Sequence, residues 1–363
     1  MKENRFIRTR AETFKALLRQ PCDHIPYQTR QNEHMRRVID ALPLSPAAKA
    51  WLWEGDFALE RLEPRPAVDR FRPYFGDLPP DCEFTYFGVG RQAQKSNEGW
   101  HAGWTTFHPL AAVDTVEGLR NFPFPDVEKS RVDIGLEERV AAHKAEGFVV
   151  IGQMSQTILE TSYEMRGIPE LMMDFYERPD YVRYLFERIA RERLFQARRF
   201  AEAGVDVLRI GDDIASQENL IISLPMYRDF IKPLHRAIIA AARAVKPDIH
   251  VLYHSDGNLE PLLNDLIDVG VTAINPVQPE CMNVRQIKAD YGERLVLWGC
   301  MPVQSTFEHG TGDDLRRHLA FLQHEIAASG GLVIDFVNFL DSPNSLRNLG
   351  AFFECYANSW KID

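Results

Sequence analysis

The stretch His250-Val-Leu-Tyr-His254-Ser-Asp256-Gly257-Asn258 decides the fold. An apolar run leading directly into polar residues reads as a buried strand that delivers reactive groups to a loop at its C-terminal end. Residues two apart on extended chain point to the same side, so His254 and Asp256 can face one cavity. Val205-Asp-Val-Leu-Arg-Ile-Gly-Asp212-Asp213 before it and Leu295-Val-Leu-Trp-Gly299-Cys300 after it have the same form. Chemistry carried at the ends of several strands is the habit of a closed α/β barrel.

Outward from this stretch, strands are expected at 148–154, 205–211, 249–254, 271–275, 295–299 and 332–337. Helices are expected over about 133–146, 157–202, 225–243, 259–269, 283–291 and 312–329, which makes parallel β-α units. Upstream, a short first strand lies within His24–Gln31 and another at Glu83–Val89. Residues 35–75, interrupted by Pro43, Pro46, Pro64, Pro66 and Pro73, read as an insertion of helices and loops. The stretch Gly99–Trp104 reads as irregular. About eight strands suffice for a (β/α)8 TIM barrel. The expectation is one domain over 1–363, in which about the first 80 residues form an N-terminal helical extension plus the first strand. A doubly wound open sheet is the rival. It is weakened because Gly88-Val-Gly90 lacks the third glycine and the following helix of a phosphate-binding turn.

The 363 residues are 45% hydrophobic and 26% charged, a globular balance with ample material for a core. A formal charge of -10 argues against a broad nucleic-acid or anionic-membrane surface, which needs clustered Lys and Arg. The cysteines (Cys22, Cys82, Cys281, Cys300, Cys355) are odd in number and scattered, as expected of a chain in a reducing compartment. The N-terminus is charged with no apolar stretch behind it, and no run of 18 apolar residues occurs. A soluble, cytoplasmic protein is the expectation.

An ordered series of segments resembles the uroporphyrinogen decarboxylase superfamily: Gly211-Asp-Asp-Ile-Ala-Ser-Gln217 with Pro225-Met-Tyr-Arg-Asp-Phe-Ile-Lys-Pro, Tyr253-His-Ser-Asp-Gly-Asn258, Asn275-Pro-Val-Gln278-Pro, Gly299-Cys-Met-Pro-Val-Gln304, and Asp341-Ser-Pro-Asn344. The resemblance implies a barrel with its cleft at the C-terminal strand ends. Haem-synthesis decarboxylases of that superfamily carry Arg-Gln-Ala-Gly-Arg-Tyr on the first strand. Here Thr29-Arg30-Gln31-Asn32-Glu33-His34 keeps one arginine and the glutamine. The cobamide-dependent methyltransferases bind zinc through His-x-Cys and a later Cys. Here His254-Ser-Asp256 replaces that cysteine with aspartate, and Cys300 stands at the end of an earlier strand than the family's later cysteine.

These readings place His254, Asp256, Asp212 and Asp213 in catalysis. Adjacent residues of an extended chain face opposite ways, so one of Asp212 and Asp213 enters the cavity while the other caps a helix or meets Arg209. Arg30, Gln153, Tyr163, Asn275, Gln278, Gln304 and Asn338 are the substrate-binding candidates, and Arg166 is a further candidate clamp for a carboxylate. His254, Asp256 and Cys300 form the candidate zinc set, with Asp335 in reserve. The expected reaction is methyl or one-carbon transfer from a small methylated substrate toward a separate corrinoid protein, because the chain has no Asp-x-His-x-x-Gly corrinoid loop of its own. Two alternatives stay open. One is a decarboxylase for a carboxylate-rich substrate such as uroporphyrinogen, with Asp212 or Asp213 moving a proton and Arg30 pairing with a carboxylate. The other is a non-catalytic barrel that binds a small ligand. A homodimer also stays open.

Overall fold

A computed structural model describes residues 9–29, 31–95, 101–154, 156–336, 340 and 342–359. Its strands are β1 (Tyr27–Gln28), β2 (Phe57–Arg61), β3 (Glu83–Phe84), β4 (Gly90–Lys95), β5 (His101–Phe107), β6 (Val149–Gln153), β7 (Val207–Gly211), β8 (His250–His254), β9 (Ala273–Val277), β10 (Val296–Cys300) and β11 (Leu332–Asp335). Eight of them form one parallel sheet in the order β1-β11-β10-β9-β8-β7-β6-β2. Taken from β1 through β2 to β11, this is chain order around a ring, the (β/α)8 barrel. Asp56 closes the seam between β1 and β2. Its N–H donates to the Tyr27 carbonyl at 2.9 Å, and its carboxylate accepts the Tyr27 N–H at 2.9 Å.

The count of eight was reached in the sequence partly by a wrong route. Glu83–Val89 is no barrel strand: Glu83–Phe84 joins β4 and β5 in a separate three-stranded antiparallel sheet, which also takes up part of the stretch read as irregular. The true second strand, Phe57–Arg61, lies inside the region read as an insertion. Ala, Leu, Glu and Arg are helix formers and none is β-branched, so local propensity hides it. Its register with β6, Phe57 opposite Val149 through Arg61 opposite Gln153, comes from tertiary pairing. Downstream, every expected strand and helix is present. A further helix, Pro343–Ser359, packs against the Glu33–Ala41 helix.

The lower barrel interior is apolar: Phe57, Val149, Ile151, Val207, Leu252, Ala273, Val296, Trp298 and Val333 pack together, with the Phe57 and Trp298 rings 4.6 Å apart. Ala16 and Leu17 of the first helix, Arg10–Leu17, plug the bottom. Arg10 holds that helix in place through paired contacts to Asp206, at 2.5 and 2.9 Å. The polar inward positions that a ligand could use therefore lie toward the C-terminal mouth. Among the described residues, no helix is long and apolar enough to cross a membrane.

Candidate functional site

Above the apolar floor the inward positions become polar. Strand alternation turns Gln28, Arg61, Gln153, Arg209, His254, Asn275 and Asp335 toward the mouth, where Gln28, Gln153, Arg209, Asn275 and Asp335 are buried. Asn275 is the hub. Its amide oxygen accepts from the Arg209 guanidinium at 3.2 Å, and its NH2 donates to Asp335 at 3.1 Å and to the Trp298 carbonyl at 3.5 Å. A guanidinium only donates and a backbone carbonyl only accepts, so the amide has one orientation.

That orientation sets the tautomer of His254. The Asn275 oxygen lies 2.7 Å from His254 Nδ1, so Nδ1 carries a hydrogen, and in the neutral ring the lone pair is on Nε2. Nε2 faces Asp213, 4.0 Å from its Oδ1. The ligand atoms of Asp213, His254 and Asp256 all lie within 4.8 Å of one another. The donor set is one imidazole nitrogen and two carboxylates, with the imidazole's other nitrogen hydrogen-bonded behind it. Metal-binding histidines are commonly held this way, and the N/O chemistry suits a borderline or hard divalent ion. Two glycines bring the loops together. A side chain at Gly211 would meet the His254 carbonyl at 2.2 Å, and one at Gly257 (φ +89) would meet the Ser216 carbonyl at 2.3 Å. The Asp256 N–H then donates to Asp213 at 2.9 Å.

The two adjacent aspartates divide as the alternation argument expects. Asp213 is half-exposed at the mouth. Asp212 is fully buried and accepts the N–H groups of Ile158 at 2.8 Å and Glu160 at 3.0 Å, so it caps the helix Leu159–Arg166. Its other oxygen lies 3.3 Å from His235 Nε2, and His235 Nδ1 is 3.3 Å from the Tyr227 hydroxyl. That chain runs outward from the barrel, away from the cavity.

Cys300 is not brought to the trio. The β9–β10 register shifts between Leu297 and Gly299, and Gly299 (φ +110) and Cys300 (φ +58) turn the chain there. Cys300 ends in the outer core, where burial pushes its thiol far up against the opposing pull of the Lys288 charge. Gln278 is buried and accepts the Gly257 N–H at 2.6 Å, a loop contact. Gln304 accepts from Gln217 at 2.7 Å on the rim, tying the loops after β10 and β7. Tyr163 is half-buried, its hydroxyl pushed well up by burial and by the carboxylates of Glu160 and Asp213. Arg166 is no clamp: it is buried and engaged with Asp174, Asp114 and the Leu110 carbonyl. Arg30 and Asn338 lie outside the described residues.

A cavity of about 1210 Å3 opens at the mouth, lined by Arg61, Arg91, Gln153, Glu160, Arg209 and His254 among others. Of the trio His254 lines it and Asp213 and Asp256 do not, and its lining continues to His143, Glu146 and Phe148. Sequence reading missed the acidic wall. Glu160 and Glu164 are four apart on one helix face, and both accept from Gln156 Nε2 at 3.0 Å. Arg91, from the antiparallel sheet, meets Glu164 at 2.5 Å. Glu160 also accepts the Asp213 N–H at 3.1 Å. Burial, then Asp213 and Asp212, pushes the Glu160 carboxyl well above 4.5. The i, i+4 spacing of glutamates just beyond a strand was the available signal.

Residues 109–336, more than half of the chain, match the family model described as uroporphyrinogen decarboxylase (URO-D). The chain belongs to the uroporphyrinogen decarboxylase family. No curated protein matches it. Among solved structures, this family member is similar over 97% of its length to 98% of a methyltransferase from Methanosarcina mazei, with a TM-score of 0.63 and 18% identity. At that identity the likeness concerns the fold. A GH10 endoxylanase retrieved from a sugarcane soil metagenome aligns over 61% of this chain and 81% of its own, at 11% identity and a TM-score of 0.37, too low to carry an argument.

Proposed function

We propose that this family member is a one-carbon transfer enzyme that takes a methyl group from a small methylated substrate toward a separate corrinoid protein, with a divalent metal of the zinc class held by Asp213, His254 and Asp256. The observation that carries this reading is the bond between His254 Nδ1 and the Asn275 oxygen, which turns Nε2 toward Asp213 in a cluster with the carboxylates of Asp213 and Asp256. A metal there would supply Lewis acidity to the heteroatom that bears the methyl group. Asn275 keeps the imidazole oriented. The fold likeness to the Methanosarcina mazei methyltransferase agrees with this reading.

The test is metal analysis of protein purified without chelator. About one divalent ion per chain is expected, lost in His254→Ala and in Asp213→Asn. Transfer is then read as the absorbance change of a cobalt(I) corrin when methylated candidates are supplied. A second reading, a carboxy-lyase for a carboxylate-bearing substrate, draws on the arginines that line the same cavity. Metal-free protein that releases carbon dioxide from uroporphyrinogen would replace the first reading with the second.

A further inference from the structure

Arg61, Gln153 and Arg209 stand side by side in the barrel wall. Arg61 pairs in register with Gln153, and Gln153 with Arg209, on the adjacent strands β2, β6 and β7. Neighbouring strands are about 4.8 Å apart, so the two arginine Cα atoms flank Gln153 across roughly 10 Å. All three side chains line the cavity that also contains His254. Arg209 is held by its bond to Asn275. Arg61 has no ion-pair or hydrogen-bond partner among the described residues, although Glu160 and Glu164 line the same cavity. Those carboxylates are held by Gln156, and Glu164 also by Arg91. An exposed, unpaired guanidinium facing into a cavity, next to an amide and a second guanidinium, matches a planar carboxylate. Below Arg61 on the same inward face, Leu59 is 38% exposed and offers a short apolar step.

We propose that Arg61, Gln153 and Arg209 form a carboxylate subsite, so that the substrate is a short methylated carboxylate whose anionic end is held by β2, β6 and β7 and whose methylated heteroatom points to His254. The assignment of the methylated end rests on the function proposed above; the carboxylate subsite does not. Arg61 makes the ion pair and Arg209 fixes the second side.

Binding is measured by calorimetry and ligand-observed NMR with no corrin present, using methoxyacetate, methylthioacetate and N,N-dimethylglycine as probes and their neutral amides as controls. At least one carboxylate is expected to bind and its amide is not. Arg61→Met should weaken that binding about tenfold or more, and Arg61→Lys should recover part of it, the range expected for a charge-assisted hydrogen bond. Because Arg61 is exposed and unpaired, its variants are expected to melt with wild-type protein. Arg61-dependent binding should persist in His254→Ala, and metal content should be unaltered in Arg61→Met, so failure of the metal reading and failure of the subsite are separable. The subsite is overturned if no carboxylate binds wild-type protein, if the amides bind equally well, or if Arg61→Met binds as tightly as wild type.

Discussion

Replacing Asn275 by leucine tests the central geometric claim, because one amide holds a guanidinium, a carboxylate and the imidazole that opens the candidate site. The variant loses the contacts at 3.2 Å to Arg209, 3.1 Å to Asp335 and 2.7 Å to His254. Arg209, Asp335 and Asn275 are all buried, so water cannot readily replace what is lost. Losing one hydrogen bond to each of the charged groups Arg209 and Asp335 costs about 1.5 to 3 kcal/mol, and loss of the contact to His254 adds about 1 kcal/mol. A total of about 4 to 7 kcal/mol is expected, a large share of a typical stability of about 5 to 15 kcal/mol. Urea unfolding followed by far-UV circular dichroism measures it. Independently, two-bond 1H–15N spectra of wild-type protein should show the His254 hydrogen on Nδ1, and the variant should lose that preference. Metal affinity, read by competition with a chromophoric chelator, should fall about 10- to 100-fold, as for other partners of a ligating histidine. A wild-type spectrum with the hydrogen on Nε2, or a leucine variant of unchanged stability, would refute the reasoning.

Four further outcomes follow from the same contacts. Asp212→Ala removes two amide acceptor contacts and the partner of His235, and should cost about 2 to 4 kcal/mol in urea unfolding, whereas Asp213→Asn should cost under about 1 kcal/mol while abolishing metal binding; equal costs would contradict the division between the two. Cys300→Ala should retain metal content, and native protein should leave Cys300 unlabelled by a thiol reagent that labels it after denaturation; labelling of the native thiol would place it at the surface instead. Burial, with Asp213 and Asp212, raises the Glu160 pKa in the folded state above 4.5, so the folded protein binds more protons and wild type loses stability as pH rises through the unfolded value. Glu160→Gln should therefore gain on wild type in urea midpoints as pH rises above about 4.5, and a pH-independent difference would remove that inference. Gly211→Ala should displace the His254 carbonyl, which its Cβ would meet at 2.2 Å, and lower metal affinity together with stability; wild-type affinity in a folded variant would show that the loops tolerate the shift.

How much of this was legible in the chain depends on the range of the forces involved. The strand–loop stretch ending in His254, Ser255, Asp256 and Gly257 announced itself locally, because an apolar β-run meeting polar residues has few other solutions. The same holds for the helices and strands from residue 133 onward, whose periodicities are strong. β2 was invisible because Phe57-Ala-Leu-Glu-Arg61 prefers a helix by itself; pairing with β6, and Glu60 bonded to Arg139 at 2.9 Å, override that preference.

The sequence by itself determined the barrel, the family likeness and the placing of His254 and Asp256 on one side of a strand end, since these follow from period-two alternation and motif order. It also determined that Asp212 and Asp213 would part company, because adjacent residues on a strand cannot share a face. Only the tertiary structure decided which aspartate turned inward, that a register shift between β9 and β10 carries Cys300 away, that Arg166 is structural, and that Arg61 and Glu160 face the cavity. Those outcomes depend on distances between residues far apart in the chain. No local pattern encodes them, because a hydrogen bond or an ion pair is satisfied by whichever partner the closed barrel brings within about 3 Å.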